Sequence, residues 1–359
     1  MSAEQYVNTK QSIAPSAGYG VAIVGATGVV GYELIKVLER RKFPIDRLRL
    51  IASPRSVGRT ICFDGEMHHI EAIGASAFHD SDFVFFSAGS STSRAYSAAA
   101  RDAGAIVIDN SSAYRMDPDV PLVVPEVNGS LLDSTTRLIA NPNCVAAIAS
   151  IALAPFKKLS KIQRLSISTY QSASGAGAAA MQELLDATKA YNEGVEFIPK
   201  ILPHPYAFNL FSHNAEVDLD SGYNGEELKV IAELRRILDC PELAIGVTCV
   251  RVPVLRAHSM AINIELSDRK ELNDVLDALT HADGVRVVDD KKANYFPMPS
   301  DASGGDPVLV GRLRYDLSDS SQRTISIFVC GDQLLKGAAL NAVQIAEALL
   351  KIRDQGSAL

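Results

Sequence analysis

The sequence predicts an α/β protein whose first part is a doubly wound parallel sheet, followed by a second strand-rich region. Three observations carry this. A short apolar strand at 20–24 (GVAIV) runs directly into a glycine turn and then into helix-spaced residues. Further apolar stretches at 48–52, 83–87, 105–109 and 138–140 alternate with helical stretches, including the small-residue segment 91–101. Strands separated by helices pair in parallel, because a parallel neighbour needs a long crossover. Beyond residue 160, longer alternating strands at 162–170 and 248–254 announce a different sheet.

The bulk properties narrow the function. With 359 residues the chain is long enough for two domains and a sizeable core. A net charge of −7, without a basic tract, argues against a nucleic-acid surface. No apolar run reaches the roughly 18–20 residues of a membrane span. Residues 1–16 are polar and lack the apolar centre of a signal peptide, so 1–18 reads as a disordered lead-in and the protein as cytoplasmic. The cysteines at 62, 144, 240, 249 and 330 are scattered, odd in number and without a CxxC pair. That suits reduced thiols rather than disulfides or a zinc site, and no metal is expected.

The first element after the lead-in is the strand at 20–24, and Gly25-Ala26-Thr27-Gly28-Val29-Val30-Gly31 follows it. Helical spacing then appears at Val30, Leu34, Val37 and Leu38. Glycines let a backbone approach a pyrophosphate, and the helix start supplies N–H donors, as in a Rossmann-type nucleotide domain. The spacing GxxGxxG is also compatible with a plain turn. The second strand bears on the choice of nucleotide. It ends Ile51-Ala52-Ser53-Pro54-Arg55-Ser56, where an NAD enzyme usually places an acid for the ribose 2′-OH. Arg55 instead suits a 2′-phosphate, which predicts NADP; an Arg that merely caps a solvated turn is the other reading.

Next comes Asn141-Pro142-Asn143-Cys144, followed by a small apolar run to Ala154 that is compatible with a packed helix. A thiol in the first turn sits against free N–H groups and the positive end of the dipole, which is expected to lower its pKa and supply a thiolate. A buried structural cysteine fits the same residues. The strand at 162–170 leads into Gln171-Ser172-Ala173-Ser174-Gly175-Ala176-Gly177 and a helix at 178–191. The strand at 248–254 sets Cys249 and Arg251 on one face, and His258 follows within Arg256-Ala257-His258-Ser259. Histidine both takes and gives protons near neutrality, although a lone one is also an ordinary structural residue. The last helix, at 332–351, has apolar spacing at Leu335, Ala338, Ala339, Ala342, Ile345 and Ala346.

Taken together, GATGVVG, SSAYRMDPDVPLVVPEVN, NPNC, YQSASGAG, EELK, RVPVLRAHS and KGAALNAVQIAE resemble aspartate-semialdehyde dehydrogenase, from about Gly20 to Leu350. The resemblance implies NADP-dependent reductive dephosphorylation of L-4-aspartyl phosphate to L-aspartate 4-semialdehyde, a step that feeds lysine, threonine, methionine and diaminopimelate synthesis. It makes Cys144 the nucleophile that forms an acyl-thioester, His258 its acid/base partner and Gln171 the residue that orients the intermediate. Arg251 is then the guanidinium for the α-carboxylate and Glu226 the carboxylate for the ammonium. Lys229 and Arg115, with Asn110 nearby, match the phosphate site. Gly25, Thr27, Gly28, Val29, Val30, Gly31, Arg55, Ser56, Ser174, Gly175 and Asn341 match cofactor contacts. A substrate with one carboxylate, one ammonium and one phosphate needs two cationic stations and one anionic station, which is what this set offers. Backbone donors at the helix start are expected to hold the oxyanion.

By the same resemblance the nucleotide domain is discontinuous, 19–143 plus 331–359, and the final helix packs back on it. Residues 144–330 form an α+β mixed-sheet catalytic domain that uses a sheet face to make a homodimer or homotetramer. The family usually follows NPNC with hydroxyl and amide residues, whereas Val145, Ala146, Ala147, Ile148 and Ala149 are apolar here. Segments 295–307 and 218–225 read as mobile loops. N-acetyl-γ-glutamyl-phosphate reductase shares the cysteine–histidine logic but needs no acid for a free ammonium. A catalytically silent nucleotide-binding paralogue is the other alternative.

Overall fold

The computed structural model describes residues 18–356, so the lead-in at 1–17 and the last three residues lie outside the described residues. In chain order the elements are β1 Tyr19–Val24, α1 Val29–Arg40, β2 Ile45–Ala52, β3 Thr60–Phe63, β4 Glu66–Ala72, β5 Phe83–Phe86, α2 Ser90–Asp102 and β6 Ile106–Asp109. Then come α3 Pro125–Asn128, β7 Leu138–Ala140, α4 Cys144–Leu159, β8 Ile162–Gln171, α5 Ala178–Glu193, β9 Phe211–Ser212, α6 Gly225–Ile237 and β10 Ala244–Arg251. The last are β11 His258–Leu266, α7 Leu272–Thr280, β12 Val285–Val287, α8 Pro299–Ala302, β13 Val308–Tyr315, β14 Thr324–Gly331 and α9 Leu340–Gly356.

The first sheet has the order β3-β4-β2-β1-β5-β6-β7. From β4 to β7 every pairing is parallel, and the order reverses between β1 and β5. Such a reversal opens a crevice outside the carboxyl ends of those two strands. Its strands bury both faces. Val21, Ile23, Phe83 and Phe85 pack with α1 and α9, while Ala22, Val24, Val84 and Phe86 face the opposite side. Helices on both faces account for near-continuous apolar strands. The doubly wound parallel sheet is present as expected, with one antiparallel edge pair added where β3 meets β4 across Asp64-Gly65. This hairpin carries Cys62, His68 and His69 among polar residues, and its weak alternation hid it from the pattern.

The second sheet is mixed, in the order β12-β13-β14-β11-β8-β10-β9. β8 and β10 run parallel, and β11 and β14 run antiparallel to their neighbours. The strand expected at 248–254 ends at Arg251, since Pro253 has no N–H to give the ladder. Helix α4 is buried along nearly its whole length and joins one face of the first sheet to the second in a single apolar core. That burial explains the apolar residues after Cys144. The final helix does not begin as a regular α-helix: Leu335–Ala339 form a π-helical turn before α9. The two segments read as loops hold local structure. Val217 bridges Asn224, Asp290 bridges Tyr295, and α8 lies within 295–307.

Candidate active site

Cys144 opens α4 immediately after β7, at the carboxyl edge of the first sheet. It borders a cavity of about 230 Å³ together with Val30, Asn110, Arg115, Ser174 and Gly175. Segments that follow strands of both sheets, with Val30 of α1, therefore line one cavity with the sulfur. A larger groove of about 700 Å³ lies by Asp117, Arg137 and Arg236. No cysteine or histidine lines that groove, so it offers no comparable chemistry.

The expectation of a lowered thiol pKa fails. Burial pushes the Cys144 thiol up to about 12, and Glu226 adds to the rise against the opposing charges of Arg115 and Arg251. The helix start is also less open than expected. The Asn143 side chain caps it, accepting from the N–H groups of Val145 (2.9 Å) and Ala146 (3.3 Å). These amides are therefore occupied as oxyanion donors, while the N–H of Cys144 itself has no acceptor among the described residues.

Around the thiol the polar residues interlock. Asn143 Nδ2 donates to Glu226 Oε1 at 2.9 Å, and Gln171 Nε2 donates to the same oxygen at 3.1 Å. Burial works against the Glu226 charge, yet His213, these two amides and Lys229 hold its carboxyl below the ordinary range. Glu226 Oε2 has no partner among the described residues, which leaves one oxygen for a ligand cation. Gln171 ends β8, and its Oε1 is buried without a partner. Arg115 donates to the carbonyls of Asn141 (2.9 Å) and Asn110 (2.8 Å) and to Glu233 (3.2 Å). Three of its five N–H groups are thus committed to holding the guanidinium at the cavity. Lys229 is exposed and its side chain makes no hydrogen bond among the described residues, one turn of α6 from Glu226.

Arg251 and His258 sit behind this group. Arg251 ends β10 and donates to the Ser172 carbonyl (3.2 Å) and to Asn214 Oδ1 (3.3 Å). Its Nη2 lies 2.8 Å from His213 Nε2. Burial first, and Arg251 second, push His213 down to about 4, so it is neutral. His213 was missed by the sequence reading, because nothing in its flanks marks it. His258 opens β11, and its ring is fully buried. Burial, with Arg251 and His213, holds it well below the usual range. Its Nδ1 accepts from the Ser172 N–H at 3.0 Å, which places the proton of the neutral ring on Nε2. That Nε2 has no partner among the described residues. His258 is not on the wall beside Cys144; it lies behind Gly175, where an added Cβ would come within 3.0 Å of Nε2. Gly175 is therefore the thin partition between imidazole and cavity.

The nucleotide turn has the expected form. Gly25 adopts φ +88°, and a Cβ there would sit 2.5 Å from the Ser87 carbonyl. Gly28 caps α1 without a side-chain bond, so the first-turn N–H groups at Val29, Val30 and Gly31 are free for an anion. No acidic residue stands in that first turn. Thr27 Oγ1 lies 3.4 Å from Ser56 Oγ, and Arg55 is exposed in the turn after β2. Asn341 is not a cavity residue. Its amide is spent on the Val123 carbonyl (2.9 Å) and Asn141 (2.6 Å), and its oxygen accepts from Lys336 (2.9 Å). Lys336, wholly buried, also pairs with both oxygens of Glu126, at 2.8 and 2.7 Å. This network anchors the π-helical turn whose Gly337 abuts Cys144: a Cβ at 337 would lie 2.7 Å from the Cys144 Cβ. Neither Gly337 nor the Lys336 network was anticipated, because π geometry leaves no periodic mark.

Residues 20–135 match the family model described as "Semialdehyde dehydrogenase, NAD binding domain", and 153–336 match "Semialdehyde dehydrogenase, dimerisation domain". The chain is 48% identical over 331 residues to the aspartate-semialdehyde dehydrogenase of Synechocystis sp., covering 92% of this chain and 97% of the relative. It is 41% identical over 343 residues to that of Bacillus subtilis, covering 93% and 98%. The crystal structure of aspartate semialdehyde dehydrogenase II complexed with ASA, from Vibrio cholerae, superposes with a TM-score of 0.88 at 38% identity. That match covers 94% of this chain and 99% of the other.

Proposed function

The chain belongs to the aspartate-semialdehyde dehydrogenase family and is an oxidoreductase of that class, and we propose that it works through a Cys144 acyl-thioester with NADP. The reaction is reductive dephosphorylation of L-4-aspartyl phosphate to L-aspartate 4-semialdehyde, a step of amino-acid biosynthesis. The observation that carries the reading is a single cavity shared by a cysteine, Arg115 and Val30 in the first turn of α1.

In this mechanism Arg115, with Asn110 beside it and Lys229 at the rim, holds the phosphate. Arg251 grips the α-carboxylate, and Glu226 Oε2 takes the ammonium. Cys144 sulfur attacks the acyl carbon, the acyl–oxygen bond breaks, and inorganic phosphate leaves carrying the thiol proton, giving a thioester whose carbonyl Gln171 orients. Because the free thiol is protonated at neutral pH, attack requires a bound substrate whose neighbours offset Glu226, and the substrate ammonium does that directly. The nicotinamide cofactor supplies a hydride to the thioester when bound. As the tetrahedral intermediate collapses, the departing sulfur takes up one proton from solvent, relayed by His258, whose ring returns to its neutral form.

The residues fit a dinucleotide. The first-turn amides of α1 suit its pyrophosphate, Ser174 and Gly175 line the cavity with Val30, and Thr27 and Ser56 lie side by side next to that turn. Absence of an acid after β2, with Arg55 exposed beside Ser56, supports NADP over NAD. We divide the chain into a nucleotide domain of 19–143 plus 331–359 and a catalytic domain of 144–330; the packing of α9 on the first sheet supports this. A homodimer is supported by the apolar surface between 191 and 219, where Ile198, Phe208 and Leu210 are more than half exposed. A cytoplasmic location agrees with the free cysteines, and no described helix is long and apolar enough to cross a membrane.

Phosphate-dependent reduction of NADP by aspartate semialdehyde tests the reading. Turnover that needs phosphate, favours NADP over NAD and is lost in Cys144→Ser is expected. Reduction without phosphate, or with N-acetylglutamate semialdehyde in preference, contradicts it.

A further inference from the structure

Asn110 directly follows β6 at the carboxyl edge of the first sheet, and it lines the cavity that holds Cys144 and Val30. Three of its four polar groups are committed. The backbone N–H donates to the Phe86 carbonyl at 2.9 Å, and the backbone carbonyl accepts from Arg115 Nη2 at 2.8 Å. The side-chain Nδ2 donates to the same Phe86 carbonyl at 3.1 Å. A carbonyl oxygen only accepts, so this last bond fixes which end of the side-chain amide is nitrogen. Oδ1 is thus an acceptor of settled orientation, and it is buried without a partner among the described residues. A buried acceptor left unpaired is costly, so a ligand that brings it a donor binds better for doing so.

The ligands assigned to this cavity differ in what they can give that oxygen. Phosphate oxygens seek the donors of Arg115, and the substrate ammonium has a carboxylate partner in Glu226. The carboxamide of a nicotinamide ring carries two N–H donors. A dinucleotide whose pyrophosphate lies at the first turn of α1 runs along the carboxyl edge of the sheet, and Val30 of that turn shares the cavity with Asn110 and Cys144. We propose that Asn110 is a cofactor-binding residue: its Oδ1 accepts from the nicotinamide carboxamide and so fixes the rotation of the ring beside Cys144. The carboxamide is attached next to the ring carbon that gives the hydride, so holding it aims that carbon at the thioester. The second N–H of Nδ2 stays available to the phosphate beside Arg115. The proposal rests on NADP as the cofactor of this cavity, but it is measurable by binding, without turnover.

The experiment is calorimetric titration of the enzyme with NADP and with acetylpyridine adenine dinucleotide phosphate, whose methyl ketone keeps the carbonyl and lacks both amide N–H donors. Wild type is expected to bind NADP about tenfold more tightly than the analogue. In Asn110→Ala the two should bind within about twofold of each other, with NADP weakened toward the analogue. The Phe86 carbonyl keeps the backbone N–H of position 110 in that variant, so no backbone group is orphaned. Equal affinity for the two ligands in wild type overturns the proposal whatever the variant does. A tenfold preference that survives in Asn110→Ala overturns it as well, since the carboxamide is then read elsewhere. If Asn110→Ala does not fold, Asn110→Leu keeps the bulk without the acceptor and is judged by the same two ratios. Wild type that binds neither ligand would instead defeat the reading of NADP as the cofactor, and the role of Asn110 with it.

Discussion

At the residue scale the decisive fact is that Cys144 is held as a thiol by burial and by Glu226, not activated by the helix start. Its pKa lies above the ordinary cysteine value, so the reactive thiolate grows as pH rises and is scarce at neutrality. Alkylation by iodoacetamide should therefore keep accelerating beyond pH 9 in the free enzyme. Glu226→Gln removes the nearest anion and lowers that pKa. At pH 8 this variant should alkylate at least about threefold faster, about half a pKa unit, while binding aspartate semialdehyde more weakly. A plateau below pH 8 in the wild type, or slower alkylation in the variant, would show that the thiol is set by something else. The cysteine was legible from NPNC and the helix-compatible run; its protonation state was not. The approach of Glu226 from α6 joins residues 83 positions apart, and no local pattern records that.

At the element scale, α4 and the π-helical turn are packed against each other with no spare volume. Gly337 is present because its backbone approaches Cys144 more closely than any side chain permits. A methyl at that position must push either the turn or the sulfur aside. Overpacking of this sort costs about 1–3 kcal/mol, and a displacement near 1 Å at a reacting atom can cost about 10²-fold in rate. Gly337→Ala should accordingly lose on the order of 10²-fold in kcat. Steady-state kinetics decides it; wild-type kcat would refute the close approach as a constraint on catalysis. Among the elements, β1, β2, β5, β6 and β7 stood out as apolar runs, because both of their faces are buried. The β3–β4 hairpin, with polar residues on its exposed side, did not. Arg251 was found at the end of its strand, whereas His213, on a short irregular stretch beside it, left no signal.

At the scale of the whole molecule, the site exists only where the two sheets meet. Arg256, two residues before His258, donates to Asp332 (2.6 Å) and to Glu33 of α1 (3.0 Å), tying the catalytic strand to the nucleotide helix. α9 returns to bury Leu340, Val343 and Ile345 against the first sheet, which supports the discontinuous nucleotide domain proposed above. Sequence periodicity anticipated that helix and its apolar face, but the contact of its preceding turn with Cys144 is a property of the assembled chain. The apolar surface from Tyr191 to Leu219 has no cover among the described residues. Sedimentation should accordingly give a dimer or larger assembly, and Phe208→Asp should shift it toward monomer by placing a charge in an apolar contact. A wild-type monomer at micromolar concentration would contradict this.

The measurement that reaches furthest is mass analysis of the enzyme incubated with aspartate semialdehyde and NADP in phosphate-free buffer. Without phosphate to release it, the acyl group should remain on the peptide containing Cys144 as one aspartyl thioester per chain, and Cys144→Ser should carry none. NADPH formed in a full burst with Cys144 unmodified would contradict the account.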